Sequence, residues 1–129
     1  MVRNGDGHLK NFGVLYTSVD DCRLSPMFDV VTTSIYRYTR CEGGPELEDR
    51  TLALKLFAGK PHTKAYPTTE ELLRFGTAIC GVAKPAIVLA RIKDAMEQTL
   101  SKAAGDDEIP KALLKSMAEA WRNGMAHSH

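Results

Sequence analysis

The chain has 129 residues, 43% of them apolar and 26% charged, with 17 Lys and Arg against 16 Asp and Glu. This is the size and composition of one domain able to bury a core, and a net charge of +1 leaves no excess of cations to neutralise a row of nucleic-acid phosphates, so direct nucleic-acid binding is not expected. No apolar run approaches a membrane span, the N-terminal Met-Val-Arg-Asn-Gly-Asp lacks the apolar core of a signal peptide, and Cys22, Cys41 and Cys80 are too few and too scattered for a disulfide framework or a zinc site, all of which points to a cytoplasmic protein with reduced thiols.

In chain order, the first feature is Asn4-Gly5-Asp6-Gly7-His8-Leu9-Lys10-Asn11-Phe12, a polar, turn-rich stretch with an Asp and an Asn five positions apart. Asn4-x-Asp6-x-His8 also matches the opening of a calcium-binding loop, but the twelfth position counted from Asn4 is Leu15 instead of the Glu that such a loop needs. Phe12 to Tyr16 reads as a short strand, Thr17 to Asp21 as a polar turn and Cys22 to Leu24 as the return strand of a hairpin. Beyond the hairpin, Ser25-Pro26-Met27-Phe28-Asp29-Val30-Val31 places an Asp directly after an apolar residue. Val30 to Tyr38 is compatible with helix or strand, Arg40 to Arg50 with its Gly43-Gly44-Pro45 is a loop, and Thr51 to Phe57 alternates as a strand that Ala58-Gly59-Lys60-Pro61 turns.

From Thr68 onward the pattern is helical. Thr68 and Glu71 form a capping box ahead of a stripe of Leu72, Phe75 and Ile79, and Gly81 stops the helix. Pro85 sits in the first turn of a second helix, where its missing N–H costs nothing, with Val88, Ile92, Ala95, Met96 and Leu100 on one face and Gly105 at its end. Pro110 opens a third helix with Leu113, Met117 and Trp121 at four-residue steps, closed by Asn123-Gly124, and these stripes are expected to be core. Residues 1–126 thus form one domain, mainly α with a small β portion, and His127-Ser128-His129 form a frayed tail.

The loop Asp6-Gly7-His8-x-Lys10-Asn11-Phe12, the apolar hairpin after it and Ser25-Pro26-x-Phe28-Asp29-Val30 together resemble the HipA-like serine/threonine kinases, the toxin kinases of bacterial toxin–antitoxin operons. The resemblance implies the C-terminal lobe of a protein-kinase-like fold and transfer of a phosphoryl group from ATP to a protein Ser or Thr with Mg²⁺. Asp6 would then accept the proton of the attacking hydroxyl, Lys10 would neutralise the transferring group, His8 and Asn11 would belong to the nucleotide site, and Asn11 and Asp29 would hold the metal. Each role has a plainer counterpart: Lys10 as a solvated loop lysine, His8 as a loop-holding side chain, and Asp29 as a cap for the segment starting at Val30.

With the catalytic Asp at position 6, neither a glycine-rich phosphate lid nor a strand Lys precedes the loop. The sequence therefore resembles a C-terminal kinase part, expected to be inactive alone. Its implied partners are a missing N-terminal half, a HipB-like antitoxin, or a second copy that covers an apolar face formed by Phe12, Val14, Leu15, Leu52, Leu54 and Leu56. The alternative reading is a non-catalytic helical scaffold or interaction module that keeps the loop without the activity.

Overall fold

A computed structural model describes residues 1–48, 52–54, 56–57 and 66–126. The hairpin forms where β-favouring residues flank a tight turn: β1 (Val14–Ser18) pairs antiparallel with β2 (Asp21–Leu24), with Val14 opposite Leu24 and Tyr16 opposite Cys22. The turn is tighter than the sequence suggests. Only Val19 and Asp20 remain outside the strands, because the register shifts between Tyr16 and Ser18 and the Thr17 hydroxyl donates to the Asp21 carboxylate. At the open end, the Ser25 N–H donates to the Gly13 carbonyl at 2.9 Å, which brings the chain beyond the hairpin back beside the loop that preceded it.

The segment from Val30 to Tyr38 is neither one helix nor one strand. It holds a 3₁₀ turn at Thr33–Ile35 and a two-residue strand β3 (Arg37–Tyr38), which pairs with β4 (Leu47–Glu48) inside the stretch expected to be loop. Arg3 and Arg37 both approach the Glu48 carboxylate, at 3.4 and 3.5 Å, and fix this small ladder from two sides. The strand expected over Thr51 to Phe57 does not form at its described positions: Leu52 to Leu54, Leu56 and Phe57 are irregular or bent. Here Ala53 spends its N–H on the Gly5 carbonyl, at 2.8 Å, and Phe57 packs edge-on against Phe75. The turn expected over residues 58–61 and the tail 127–129 lie outside the described residues.

The helices begin where local chemistry places them. Thr68 caps α1 (Thr69–Ala78), its side chain accepting from the Glu71 N–H while the Glu71 carboxylate accepts from the Thr68 N–H. The chain leaves α1 through Gly81 in the left-handed region, at φ +65°, which a side chain would resist. Pro85 opens α2 (Pro85–Ala104) and Gly105 comes directly after it, as the sequence implies. α3 (Lys111–Ala126) differs, for it runs straight through the Asn123-Gly124 expected to close it. Gly124 is buried because the N-terminal segment crosses the helix there, and a Cβ would collide with the Met1 carbonyl. The glycine answers a close approach instead of a turn. Burial of the Met1 amino group at this crossing, with the Arg3 charge second, lowers its pKa from 8.0.

α1 packs on α2, α2 on α3, and α3 on the Thr33–Ile35 turn. Among the described residues the buried apolar side chains are Met96, Ala118, Ala120 and Met125. Ile79, Val88, Ile92 and Leu113, expected inside, are exposed, as are Phe12, Val14, Leu15 and Leu54 near the loop. Periodicity marks which residues share a face; it does not supply the surface that covers them.

Candidate functional site

The loop is held by hydrogen bonds more than by packing. Asn4 begins it as an Asx turn, its Oδ1 accepting from the Asp6 N–H at 3.0 Å. Gly5 is clamped on both sides, its N–H donating to Thr33 Oγ1 at 2.7 Å and its carbonyl accepting from Ala53. The Thr33 hydroxyl in turn donates to the Arg3 carbonyl, which also accepts from the Thr33 N–H and the Tyr66 hydroxyl. Arg3, at φ +55°, therefore offers one carbonyl to three donors and stacks its guanidinium 5.2 Å from the Tyr66 ring centre.

Further along, Leu9–Asn11 closes a single 3₁₀ turn. The Asn11 N–H donates to the His8 carbonyl at 3.0 Å, and the Asn11 side chain reaches back so that Oδ1 accepts from the His8 N–H at 2.8 Å. That reciprocal pair buries Asn11 and fixes its amide. The free end of the amide, Nδ2, donates to Asp29 Oδ2 at 2.6 Å across 18 residues of sequence. Asp29 sits at φ +56°, a conformation Asp tolerates better than most residues but at a cost of about 1 kcal/mol. Two hydrogen bonds hold it there, since its carbonyl also accepts from Asn4 Nδ2 at 3.4 Å.

Asn11 and Asp29 are thus brought together from separate segments. Asp29 does not cap the segment after it, because no helix starts at Val30 and its carboxylate is turned to Asn11. Asp6 is exposed and borders a hollow of about 530 Å³ with Thr33, Tyr36, Arg37 and Tyr38. Asn4 links the two places, bonding the Asp6 N–H with one end of its amide and the Asp29 carbonyl with the other. Lys10 is exposed on the 3₁₀ turn, while His8 is half-buried and uses both backbone groups on Asn11. Among the described residues no three His, Cys, Asp or Glu side chains gather as a metal cluster. Because Asn11 Oδ1 is taken by the His8 N–H and Nδ2 is the end that faces Asp29, the donor this arrangement opens to a hard cation is the exposed Asp29 carboxylate; Asn11 would add its oxygen only with the amide turned over. A carboxylate oxygen is a donor of the type Mg²⁺ takes, with most of its shell left to water and phosphate oxygens.

Thr33 and Arg3 carry the loop without having stood out in the sequence, and Asn4 stood out there only as the first residue of the stretch. The Asn-Gly dipeptide was a signal for the turn that Asn4 makes; nothing local marks Thr33, whose partners lie 28 and 30 positions away. Among the described residues no helix is long and apolar enough to cross a membrane, and the three cysteines are free.

Neither the curated proteins nor the solved structures contain a significant match to this chain. The family comparison does find one: residues 1–105, which carry the loop, the hairpin, Asp29, α1 and α2, match the HipA-like C-terminal domain. The match covers most of the chain and contains both partners of the Asn11–Asp29 contact, and on that ground this protein belongs to the HipA-like C-terminal domain family.

Proposed function

We infer that this domain is the catalytic and metal-binding part of a HipA-like protein serine/threonine kinase of a toxin–antitoxin system. The observation that supports the reading best is the Asn11–Asp29 contact of 2.6 Å, made inside a domain of that family. Asp29, joined by Asn11 once its amide oxygen turns to the same point, would hold Mg²⁺, and Asp6, exposed at the rim of the hollow, would accept the proton of an acceptor Ser or Thr hydroxyl. The chemistry Mg²⁺ would supply there is positive charge against the phosphates of the nucleotide. Lys10, exposed on the same turn, contributes a further positive charge toward the phosphates. His8 and Asn4 are positioning residues: the first sets the Asn11 amide, and the second ties the Asp6 backbone to the Asp29 backbone.

The 129 residues contain no glycine-rich lid and no strand Lys, so this chain alone binds Mg²⁺-ATP at about millimolar strength or weaker and transfers no measurable phosphate to protein. Calorimetry at high protein concentration tests the site. Weak binding of Mg²⁺-ATP that Asn11→Ala and Asp29→Ala abolish and Asp6→Ala leaves intact is the expected result. Binding that survives Asp29→Ala removes the metal assignment, and autophosphorylation abolished by Asp6→Ala removes the inactivity. A folded chain that binds neither Mg²⁺ nor nucleotide, even when an N-terminal kinase half is supplied, leaves the scaffold reading in its place.

The exposed Phe12, Val14, Leu15 and Leu54 favour self-association of this chain through its β portion, where a two-fold contact buries one apolar patch against its twin. Sedimentation at micromolar concentration is expected to show a dimer or larger species. A monomer that binds no apolar dye refutes this association.

A further inference from the structure

A groove of about 630 Å³ runs between α2 and α3, on helical surface that the proposed kinase chemistry does not use. Its apolar floor is made by Leu100 and Ala104 of α2 and by Leu114, Ala118 and Met125 of α3. Along α3, Lys111, Lys115 and Arg122 border the same groove and are all exposed. At about 100° per residue these three cations fall within about 40° of one another, directly beside the stripe of Leu114, Ala118 and Met125. The opposite bank, on α2, carries Glu97 and Ser101. The groove is therefore apolar below, cationic on one side and weakly acidic on the other, and from Lys111 to Met125 it is about 21 Å long at 1.5 Å per residue.

We propose that this groove docks an amphipathic helix of a partner protein, one that carries a row of carboxylates along the flank facing α3. Charge complementarity selects that occupant. Three cations against one carboxylate favour an acidic flank, and the carboxylates of such a helix, spaced three or four residues apart, meet Lys111, Lys115 and Arg122 while its apolar ridge enters the floor. The length suits about four helical turns. An anionic membrane is a poorer match, because a flat surface reaches the cations of one bank but not the apolar floor between the two helices. α3 begins beyond residue 105, where the family match ends, so the cationic bank belongs to the part of the chain outside that match.

The test uses the full chain and a fluorescein-labelled helical peptide of about 16 residues with leucines at i, i+4, i+7 and i+11 and glutamates along one flank. Anisotropy is expected to show saturable binding that weakens as salt is raised. The triple variant K111E/K115E/R122E is expected to lose about tenfold or more in affinity and to prefer a peptide whose flank carries lysines instead. Ala104→Trp, which fills the groove from α2 without changing charge, is expected to block both peptides. Circular dichroism confirms that the variants keep their helices. Equal affinity for the acidic and basic peptides, or binding unchanged by the triple variant or by Ala104→Trp, overturns the proposal. So does tight binding to phosphatidylcholine vesicles containing about one-fifth phosphatidylserine that the acidic peptide does not displace.

Discussion

The loop region and the helical region bury opposite kinds of residue. In residues 1–48 the buried side chains are Asn11, Thr32 and Ser34, all polar; in the helices they are Met96, Ala118, Ala120 and Met125, all apolar. The helices are joined by contacts that have no preferred direction and tolerate adjustment. Around the loop, position is set by hydrogen bonds whose angles and lengths leave little freedom, and a buried polar group that loses its partner costs more than the bond contributed. A site that must hold Asn11 opposite Asp29 is better served by the second arrangement, because a small displacement of either residue breaks a directed bond instead of merely loosening a contact.

Where the two regions meet, the difference predicts how each responds to change. The largest effect is expected at Gly124, where the N-terminal segment crosses α3 and no side chain fits. Gly124→Val should cost about 3 kcal/mol in urea unfolding. A loss below about 1 kcal/mol would show that the N-terminal segment lifts off α3 without consequence.

Next comes Thr33→Val, which keeps the shape but removes the hydroxyl that accepts from Gly5 and donates to Arg3. It should cost about 2 kcal/mol and weaken the Mg²⁺-ATP heat along with stability, whereas Thr33→Ser should restore both. An unchanged midpoint in Thr33→Val would mean that the loop does not depend on this clamp.

The smallest effect belongs to the helical side. Thr68→Ala removes the cap of α1 and should lower stability by about 1 kcal/mol while leaving nucleotide binding as it was, because the bonds of this cap join Thr68 to Glu71 within the first turn of the helix. If thermal melts show Thr68→Ala to be as damaging to the site as Thr33→Val, the two regions behave as one cooperative unit and the contrast fails.

The helices were legible because their signals are short-ranged. The Thr68–Glu71 box, Pro85 and Gly105 act within one turn of where they stand, and their chemistry is the same in any fold. The hairpin was legible for the same reason, apart from the register shift that tightened its turn. Gly124 misled because a glycine near the end of a helical pattern has two meanings, a stop or a close crossing, and only the position of Met1 separates them. The strand expected over Thr51 to Phe57 had the right alternation but lacks a strand partner at its described positions, where Ala53 bonds to Gly5 instead.

By itself the sequence determined where the helices start, that a hairpin separates Asn11 from Asp29, and which family the motifs resemble, since each of these depends on residues close together along the chain. Tertiary structure decided the rest. Trp121 donates to the Thr32 hydroxyl across 89 positions, and Arg3 gathers Thr33, Glu48 and Tyr66 around itself. Such bonds have no period and no spacing rule, for they join whichever donors and acceptors the packed backbone places within about 3 Å of one another.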